Sequence, residues 1–388
     1  MHDSNTIGSM KTQGMCTILT VNPGSTSTKL GLFRGLEPVE EYEVAHQAKI
    51  GLRGAAFDAE VVAYIEQIRG FLGAHPAIKL DAVVGRGGFI NRDQTRIKGG
   101  TYEVAGIYDG VAKLDEKLIG AVRDNPDMDH PSNYGIPIAA ALAKELNIPA
   151  YTTDSVVADD FAPVARFSGY KGITRKSTAH FLSLKAMAVK AAERLERTWD
   201  QVNLVCVHMG GGITIGAYRQ GKVVDNSIAL LGNGPFTPQR VGSLPMGELI
   251  DLCYSGRFTK EELRYEFSKK GGLTSYLGED DLRVISRRIE AGDEYARKVL
   301  EAMAYQISKE IGAMYIAAGD NVEGLVFSGG MTNATLLMEL IRKQVSHLAP
   351  MMVFKGNLEM EAMARAAVRA LDGTISVHRY CPAGAEGE

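Results

Sequence analysis

Eight consecutive residues, Asn22-Pro-Gly-Ser-Thr-Ser-Thr-Lys29, set an amide, four hydroxyls and an ammonium around a Pro-Gly bend. The apolar run Thr17–Val21 precedes them and Leu30–Phe33 follows, so the stretch reads as a tight turn between two strands. Backbone N–H groups in such a turn form a concavity for an anion, with Asn22, Ser25, Thr26 and Lys29 toward the same ligand. The chemistry is phosphate held by a hairpin, unlike a Walker loop, which leads into a helix. Alone, a Gly/Ser/Thr hairpin is more often a surface turn with no ligand.

Two further glycine turns change that balance. Strand Asn203–Met209 runs into Gly210, Gly211 and Gly212, and Ile213–Tyr218 reads as the return strand, with His208 at the lip. Without a Cβ, three glycines let the backbone approach a bulky anion closely. Strand Gly324–Phe327 ends in Ser328-Gly329-Gly330-Met331, ahead of a helix expected from about Asn333, a geometry that suits a nucleotide. Three such turns at strand ends point to one nucleotide cradled from both sides. The repeated strand–turn–strand also suggests a duplication with one hairpin per half.

The elements that must position these turns alternate between strand and helix. Val61, Ile65, Ile68 and Leu72 fall on one helical face, and strand Ala82–Val84 ends in Gly85-Arg-Gly-Gly88. A helix is expected over 136–146, a strand over 148–152 ending at Asp154, and a long helix over 179–195. Val299, Met303, Ile307 and Ile311 recur as on a helix packed against a sheet, and Met360–Leu371 closes the pattern with an amphipathic helix. Alternation of this kind implies α/β domains with mixed sheets.

Composition excludes more than it selects. A chain of 388 residues has room for two or three domains. Its net charge of −3 supplies no field for nucleic acid or an anionic membrane, so any basic phosphate site must be local. Cys16, Cys206, Cys253 and Cys381 form no CxxC pair and read as reduced thiols of a cytoplasmic protein, neither a metal site nor a disulfide framework. No run reaches the roughly 20 apolar residues of a membrane span. Residues 1–14 are polar, lack the apolar core of a secretory signal and read as a disordered extension.

Val21–Lys29 closely resembles the first phosphate loop of the acetokinase family, the acetate and butyrate kinases, within the wider sugar kinase, heat-shock chaperone and actin superfamily. Further stretches resemble the butyrate kinases of that family: Gly85–Gly88, Gly99–Tyr102, His130–Asn133, Arg175–Ser177, His208–Gly212, Gly234–Pro238, Gly271–Leu273 and Leu358–Glu361. They run in order from about residue 17 to 372. The resemblance implies two actin-like, ribonuclease H-like domains around a nucleotide cleft. Residues 15–155 with 364–388 would form the first and 156–363 the second.

It also implies reversible phosphoryl transfer between ATP and butyrate, giving butyryl phosphate and ADP, with acetate, propionate or isobutyrate as alternative acids. A carboxylate is already ionised at neutral pH and needs no general base, so the site must hold two anions and neutralise the phosphoryl group between them. Carried over residue by residue, Arg86 binds the carboxylate or phosphoryl group, and Asp154 acts through magnesium or orients the reacting groups. Arg240 reads as a transition-state clamp or as a salt-bridge residue. His208 contacts phosphate, and Lys176 takes the place of a histidine or starts a solvated helix. Asn22 and Ser25 meet the γ-phosphate, Gly210–Gly212 the β-phosphate, and Gly329, Gly330 and Met331 the adenosine. Glu361 or Glu359 holds magnesium through water, with Glu361 the expected ligand. Gly87 and Gly88 stand where acetate kinases carry bulky residues, and so would enlarge the acid pocket for butyrate. Related kinases are homodimers or larger. Outside the class, the fold also serves phosphatases, filament proteins and chaperones. No glutamate base for a phosphatase is evident, and a chaperone would be expected to carry a substrate-binding extension beyond the helix that closes at Leu371.

Overall fold

A computed structural model describes residues 16–24, 27–45, 49, 51–91, 96–125, 130–356 and 358–382. The extension over 1–14 and the hydroxyls of Ser25 and Thr26 lie outside the described residues. The chain divides into two compact units, one of residues 1–158 and 358–388, the other of 159–357.

In the first unit β1 (Thr17–Pro23), β2 (Ser27–Arg34) and β3 (Glu37–Ala45) form an antiparallel meander, followed by α1 (Gly54–Gly73) and β4 (Ala82–Arg86). Next come β5 (Thr101–Tyr108), β6 (Val111–Leu114), α2 (Glu116–Arg123), α3 (Gly135–Leu146) and β7 (Ala150–Thr153). The seven strands order as β3-β2-β1-β4-β7-β5-β6, with β1, β4 and β7 mutually parallel. Apolar runs place β1, β4 and β7 at the centre, where a parallel strand is buried on both faces. β3 instead carries Glu37, Glu40, Glu41 and Glu43, charges that keep an edge strand from pairing with another chain. On α1, Val61, Ile65 and Ile68 are buried as their spacing predicts, joined by Phe57, Tyr64 and Phe71.

The second unit opens with α4 (Phe181–Arg194) and a second antiparallel meander, β8 (Asn203–Met209), β9 (Ile213–Arg219) and β10 (Lys222–Asn226). Four helices follow, α5 (Met246–Tyr254), α6 (Lys260–Lys269), α7 (Gly272–Leu277) and α8 (Leu282–Glu290), and then α9 (Glu294–Ala318). β11 (Gly324–Ser328), α10 (Thr335–Val345) and β12 (Met351–Val353) complete a five-stranded sheet ordered β10-β9-β8-β11-β12. Val299, Met303, Ile307 and Ile311 of α9 enter one core with Val205, Val207, Leu325 and Phe327.

The chain then returns to the first unit as α11 (Leu358–Leu371), which packs on β1, β4 and β7. A boundary at 364 would split this helix between two cores. Its buried Met360 and Met363 belong with the first unit from the helix start, so the boundary falls before Leu358. The crossing into the second unit comes at Asp159, a few residues beyond 155.

Both sheets follow one plan: a three-stranded meander whose first strand is extended by parallel strands. In each, the first turn carries the Ser/Thr or glycine hairpin, and the next parallel strand ends in a Gly-Gly pair, Gly87-Gly88 after β4 and Gly329-Gly330 after β11. This is the internal repeat that the two hairpins suggest.

Candidate active site

In the first unit the C-terminal ends of β1, β4 and β7 share one sheet edge, because the three strands run parallel. Val21 pairs with Gly85, so Asn22 and Arg86 lie next in that register, and Arg86 pairs with Thr153, the residue before Asp154. Three expected site residues thus meet at one edge. Lys29 faces Asn22 across the β1–β2 hairpin with its side chain exposed, and Gly24 N–H closes the turn on the Ser27 carbonyl at 2.8 Å.

Arg86 is buried at 8% exposure, and its guanidinium pairs with the carboxylate of Glu359. Asn22 Nδ2 donates to the same carboxylate at 3.0 Å. Glu361, the sequence choice for magnesium, instead pairs with Arg365 at 2.9 Å, one turn along the helix. The glutamate at the strand ends is therefore Glu359. The i,i+4 spacing of Glu361 and Arg365 is a signal in the sequence itself, since such pairs satisfy each other on a helix surface.

Asp154 has φ of +46°, a left-handed conformation that a non-glycine residue rarely adopts. Gly100 holds it from both sides: Gly100 N–H donates to Asp154 Oδ1 at 2.8 Å, and Asp154 N–H donates to the Gly100 carbonyl at 3.0 Å.

Gly87 and Gly88 do not open a pocket. A Cβ on Gly88 would lie 2.4 Å from Asn133 Oδ1 and 2.6 Å from its Cα, and one on Gly87 would lie 2.9 Å from Ser155 Cα. The segment is instead a pinned shelf. Ser155 Oγ donates to the Gly88 carbonyl at 2.6 Å, Phe89 N–H donates to Asn133 Oδ1 at 2.8 Å, and Asn125 Nδ2 donates to the Phe89 carbonyl at 2.8 Å. The missing side chains make room for backbone packing behind Arg86.

The second unit builds its own cluster. His208 stands in register between Thr214 of β9 and Ser328 of β11, with Nδ1 3.1 Å from Ser328 Oγ. His180, just before α4, lies 4.6 Å ring to ring from His208, with its Nδ1 2.8 Å from Thr214 Oγ1. Gly210 N–H closes the hairpin on the Gly212 carbonyl at 3.0 Å, and Thr237 Oγ1 donates to the Gly211 carbonyl at 3.0 Å. Gly212 has no room for a Cβ, which would lie 2.5 Å from Arg240 Nη1 and 3.2 Å from His180 Cε1.

Arg240 therefore packs directly beside the glycine hairpin. Its Nη1 donates to the Ala229 carbonyl at 2.8 Å, and among the described residues it enters no ion pair. Burial pushes its guanidinium below the ordinary arginine range. Of its two sequence readings, the salt bridge has no carboxylate among the described residues. Arg175 does pair, bidentately, with Asp225 at 2.8 and 3.2 Å. Gly329, with φ of +93°, abuts the Met209 carbonyl, which a Cβ would approach to 2.3 Å, whereas Gly330 is open. Met331 is buried in the core of this unit, so its side chain is not available to line a nucleotide. His180, which stands with Arg175 and Lys176 where acetate kinases carry a histidine-rich stretch, and Ser328, which opens the third glycine turn, join this cluster through partners on other strands.

Two sheets of this topology, each with a hairpin at its first turn and polar side chains at its strand ends, make a duplicated α/β fold with phosphate-sized turns in both halves. The family model described as the acetokinase family matches residues 163–377. A probable butyrate kinase from Listeria innocua serovar 6a is 39% identical over 360 residues, spanning 92% of this chain and 97% of its own. Among solved structures, acetate kinase from Porphyromonas gingivalis matches with a TM-score of 0.72 at 18% identity, covering 92% of this chain and 99% of that one. A propionate kinase from Francisella tularensis subsp. tularensis matches with a TM-score of 0.68 at 18% identity, covering 91% and 99%. The fold is the actin-like one expected from the sequence, and the chain belongs to the acetokinase family, phosphotransferases with a carboxyl group as acceptor.

Proposed function

We propose that the chain is a short-chain fatty acid kinase that transfers a phosphoryl group reversibly between ATP and butyrate. The observation that carries the chemistry is Arg86, a buried guanidinium aligned with Asn22 and Asp154 at one sheet edge and oriented by Glu359. In this reading Arg86 and Asn22 meet the acid and the transferring phosphoryl group, whose equatorial oxygens gain from fixed donors. His208 and Gly210–Gly212 hold the nucleotide phosphates, and Arg240, which enters no ion pair among the described residues, neutralises phosphoryl charge. Gly329 and Gly330 supply backbone beside the nucleoside.

Magnesium fits the donor set. Asp154 after β7 and Glu359 against Arg86 of β4 bring carboxylates to one sheet edge, which suits an ion that takes one or two carboxylates and completes its shell with water and phosphate. Asp154 and Glu359 are the residues that would hold it. When bound it supplies charge neutralisation across the phosphate oxygens.

Butyrate is favoured over acetate, propionate and isobutyrate by likeness to the Listeria relative, not by Gly87 and Gly88. The decisive assay supplies ATP, magnesium and each acid with hydroxylamine. Butyrohydroxamate should form fastest, and EDTA should stop it. A faster rate with acetate would move the assignment within the class, and ATP hydrolysis indifferent to every acid would remove the kinase reading. A homo-oligomer is also proposed, since α5 has no buried residue and leaves Met246 and Tyr254 at 74% and 88% exposure. Light scattering showing a monomer would refute it. No described helix is long and apolar enough to cross a membrane.

A further inference from the structure

The segment after α11 runs back along the first unit and lies beside the start of β5. β6 pairs with β5 only over Ala105–Tyr108, leaving the outer side of Thr101–Glu103 to another partner. The C-terminal segment takes that place: Tyr102 and His378 form a parallel bridge, His378 N–H donates to the Thr101 carbonyl at 2.8 Å, and Glu103 N–H donates to the His378 carbonyl at 2.9 Å. The His378 ring rests 5.2 Å from the Tyr102 ring and so close to Gly100 that a Cβ there would lie 3.0 Å from Nε2. Tyr102 in turn holds the preceding loop, its hydroxyl accepting from Lys98 N–H at 3.1 Å.

Gly100 is the residue that grips Asp154 through both its N–H and its carbonyl. Its φ of +134° is open to glycine alone, so its position depends on what packs around it. Asp154, at φ of +46°, likewise relies on its neighbours to hold an uncommon conformation. The chain of contacts runs from His378 through Gly100 to the Asp154 carboxylate.

We propose that His378 is a positioning residue: the C-terminal segment, clamped on β5, fixes Gly100 and through it the direction of the Asp154 carboxylate. The proposal rests on Asp154 belonging to the phosphoryl-transfer site. Loss of the ring should act on turnover and spare substrate binding, because His378 reaches the site only through Gly100.

The test measures kcat and KM for ATP and butyrate, with magnesium, in His378→Ala, Asp154→Asn and the double variant of the full chain. His378→Ala should lower kcat roughly tenfold, the order of loss expected when a reacting group is displaced by a fraction of an ångström, with both KM values within about twofold. His378→Phe, which keeps a flat ring against Tyr102 and Gly100, should recover most of the rate. In the Asp154→Asn background His378→Ala should cost almost nothing more, since two changes acting through one group do not add. If His378→Ala proves too unstable to assay, His378→Leu is read in its place. Wild-type kcat in His378→Ala, or the same fold-loss on top of Asp154→Asn, would overturn the positioning role while leaving Asp154 in the site. Wild-type turnover in Asp154→Asn would overturn the site reading and this proposal with it.

Discussion

Glu359, in the first turn of α11, forms an ion pair with Arg86 at the end of β4 and accepts a hydrogen bond from Asn22 at the end of β1. The carboxylate therefore holds the arginine fork in one orientation and balances its charge before any substrate arrives. Replacing it with an amide should loosen that orientation. Glu359→Gln should lower kcat on the order of tenfold or more, because donor placement is what the site contributes. Glu361→Gln, which breaks a partly exposed i,i+4 pair, should stay within about twofold. Steady-state kinetics on the two variants decide between the glutamates, and a larger loss at Glu361 would reverse the assignment.

The two arginines should separate activity from stability. Arg86→Ala and Arg240→Ala should each cost about 10²–10³-fold in turnover, the scale of losing one preorganised donor. Arg86→Ala takes the guanidinium from Glu359, whose side chain is 15% exposed and keeps the hydrogen bond from Asn22, and should also destabilise the fold by about 1–3 kcal/mol. Arg240→Ala abandons no carboxylate among the described residues, so its stability should change by about 1 kcal/mol or less. Arg86→Lys should not recover the rate, since an ammonium lacks the planar fork. Denaturant melts beside hydroxamate assays make the comparison, and an active Arg240→Ala enzyme would remove that residue from the site.

Gly88→Val should fail on every acid alike. Its Cβ would sit 2.4 Å from Asn133 Oδ1 and 2.6 Å from Asn133 Cα, an overlap that the backbone must relieve at a cost of typically 1–3 kcal/mol or more. A lower melting temperature with equal loss of acetate and butyrate turnover is the expected result. Selective loss of butyrate turnover in a protein of unchanged stability would return these glycines to the acid pocket.

Acid should weaken the second unit at Asp159. Burial alone would raise this carboxyl, but Arg166, bonded at 2.7 and 2.9 Å, and the N–H groups of Phe161 and Ser177 hold it below its ordinary value of 3.8. A depressed carboxyl adds stability that is complete above its unfolded value and is lost as pH falls through the folded one. Asp159→Asn should therefore cost about 3 kcal/mol at neutral pH, the scale for breaking a buried pair, and the difference from wild type should shrink below about pH 4. A deficit that stays constant down to pH 2 would argue against the ionic role.

Most of the frame was legible from sequence because it rests on local pattern. The spacing of Val61, Ile65 and Ile68 on α1 and of Val299, Met303, Ile307 and Ile311 on α9 follows directly from helical periodicity. Arg86 and Asp154 were singled out by family resemblance, since a lone polar residue after a strand reads equally well as a surface arginine or a helix cap; the register then sets both at one sheet edge. What escaped depends on contacts between distant segments. Nothing near Gly88 in sequence reveals that Asn133 occupies its side-chain space, and nothing near Met331 reveals that its side chain turns into the core. Glu359 and Glu361 differ only in which side of one helical turn faces Arg86, which periodicity around Met360 and Met363 narrows without deciding.

The return of α11 to the first unit has a consequence for how the molecule is made. Asn22 and its partner Glu359 are 337 residues apart, with the whole second unit synthesised between them. At roughly 5–20 residues per second, the hairpin that carries Asn22 leaves the ribosome roughly 17–70 s before the helix that completes its edge. Until then β1 and β4 lack the apolar cover of Met360 and Met363, and Arg86 lacks its counter-charge. The nascent first unit is thus a sheet with one uncovered layer waiting on the last helix, whereas the second unit holds its strands and all its helices within one continuous stretch. Chains truncated after residue 356 and released should accordingly resist protease across the second unit while the first stays sensitive.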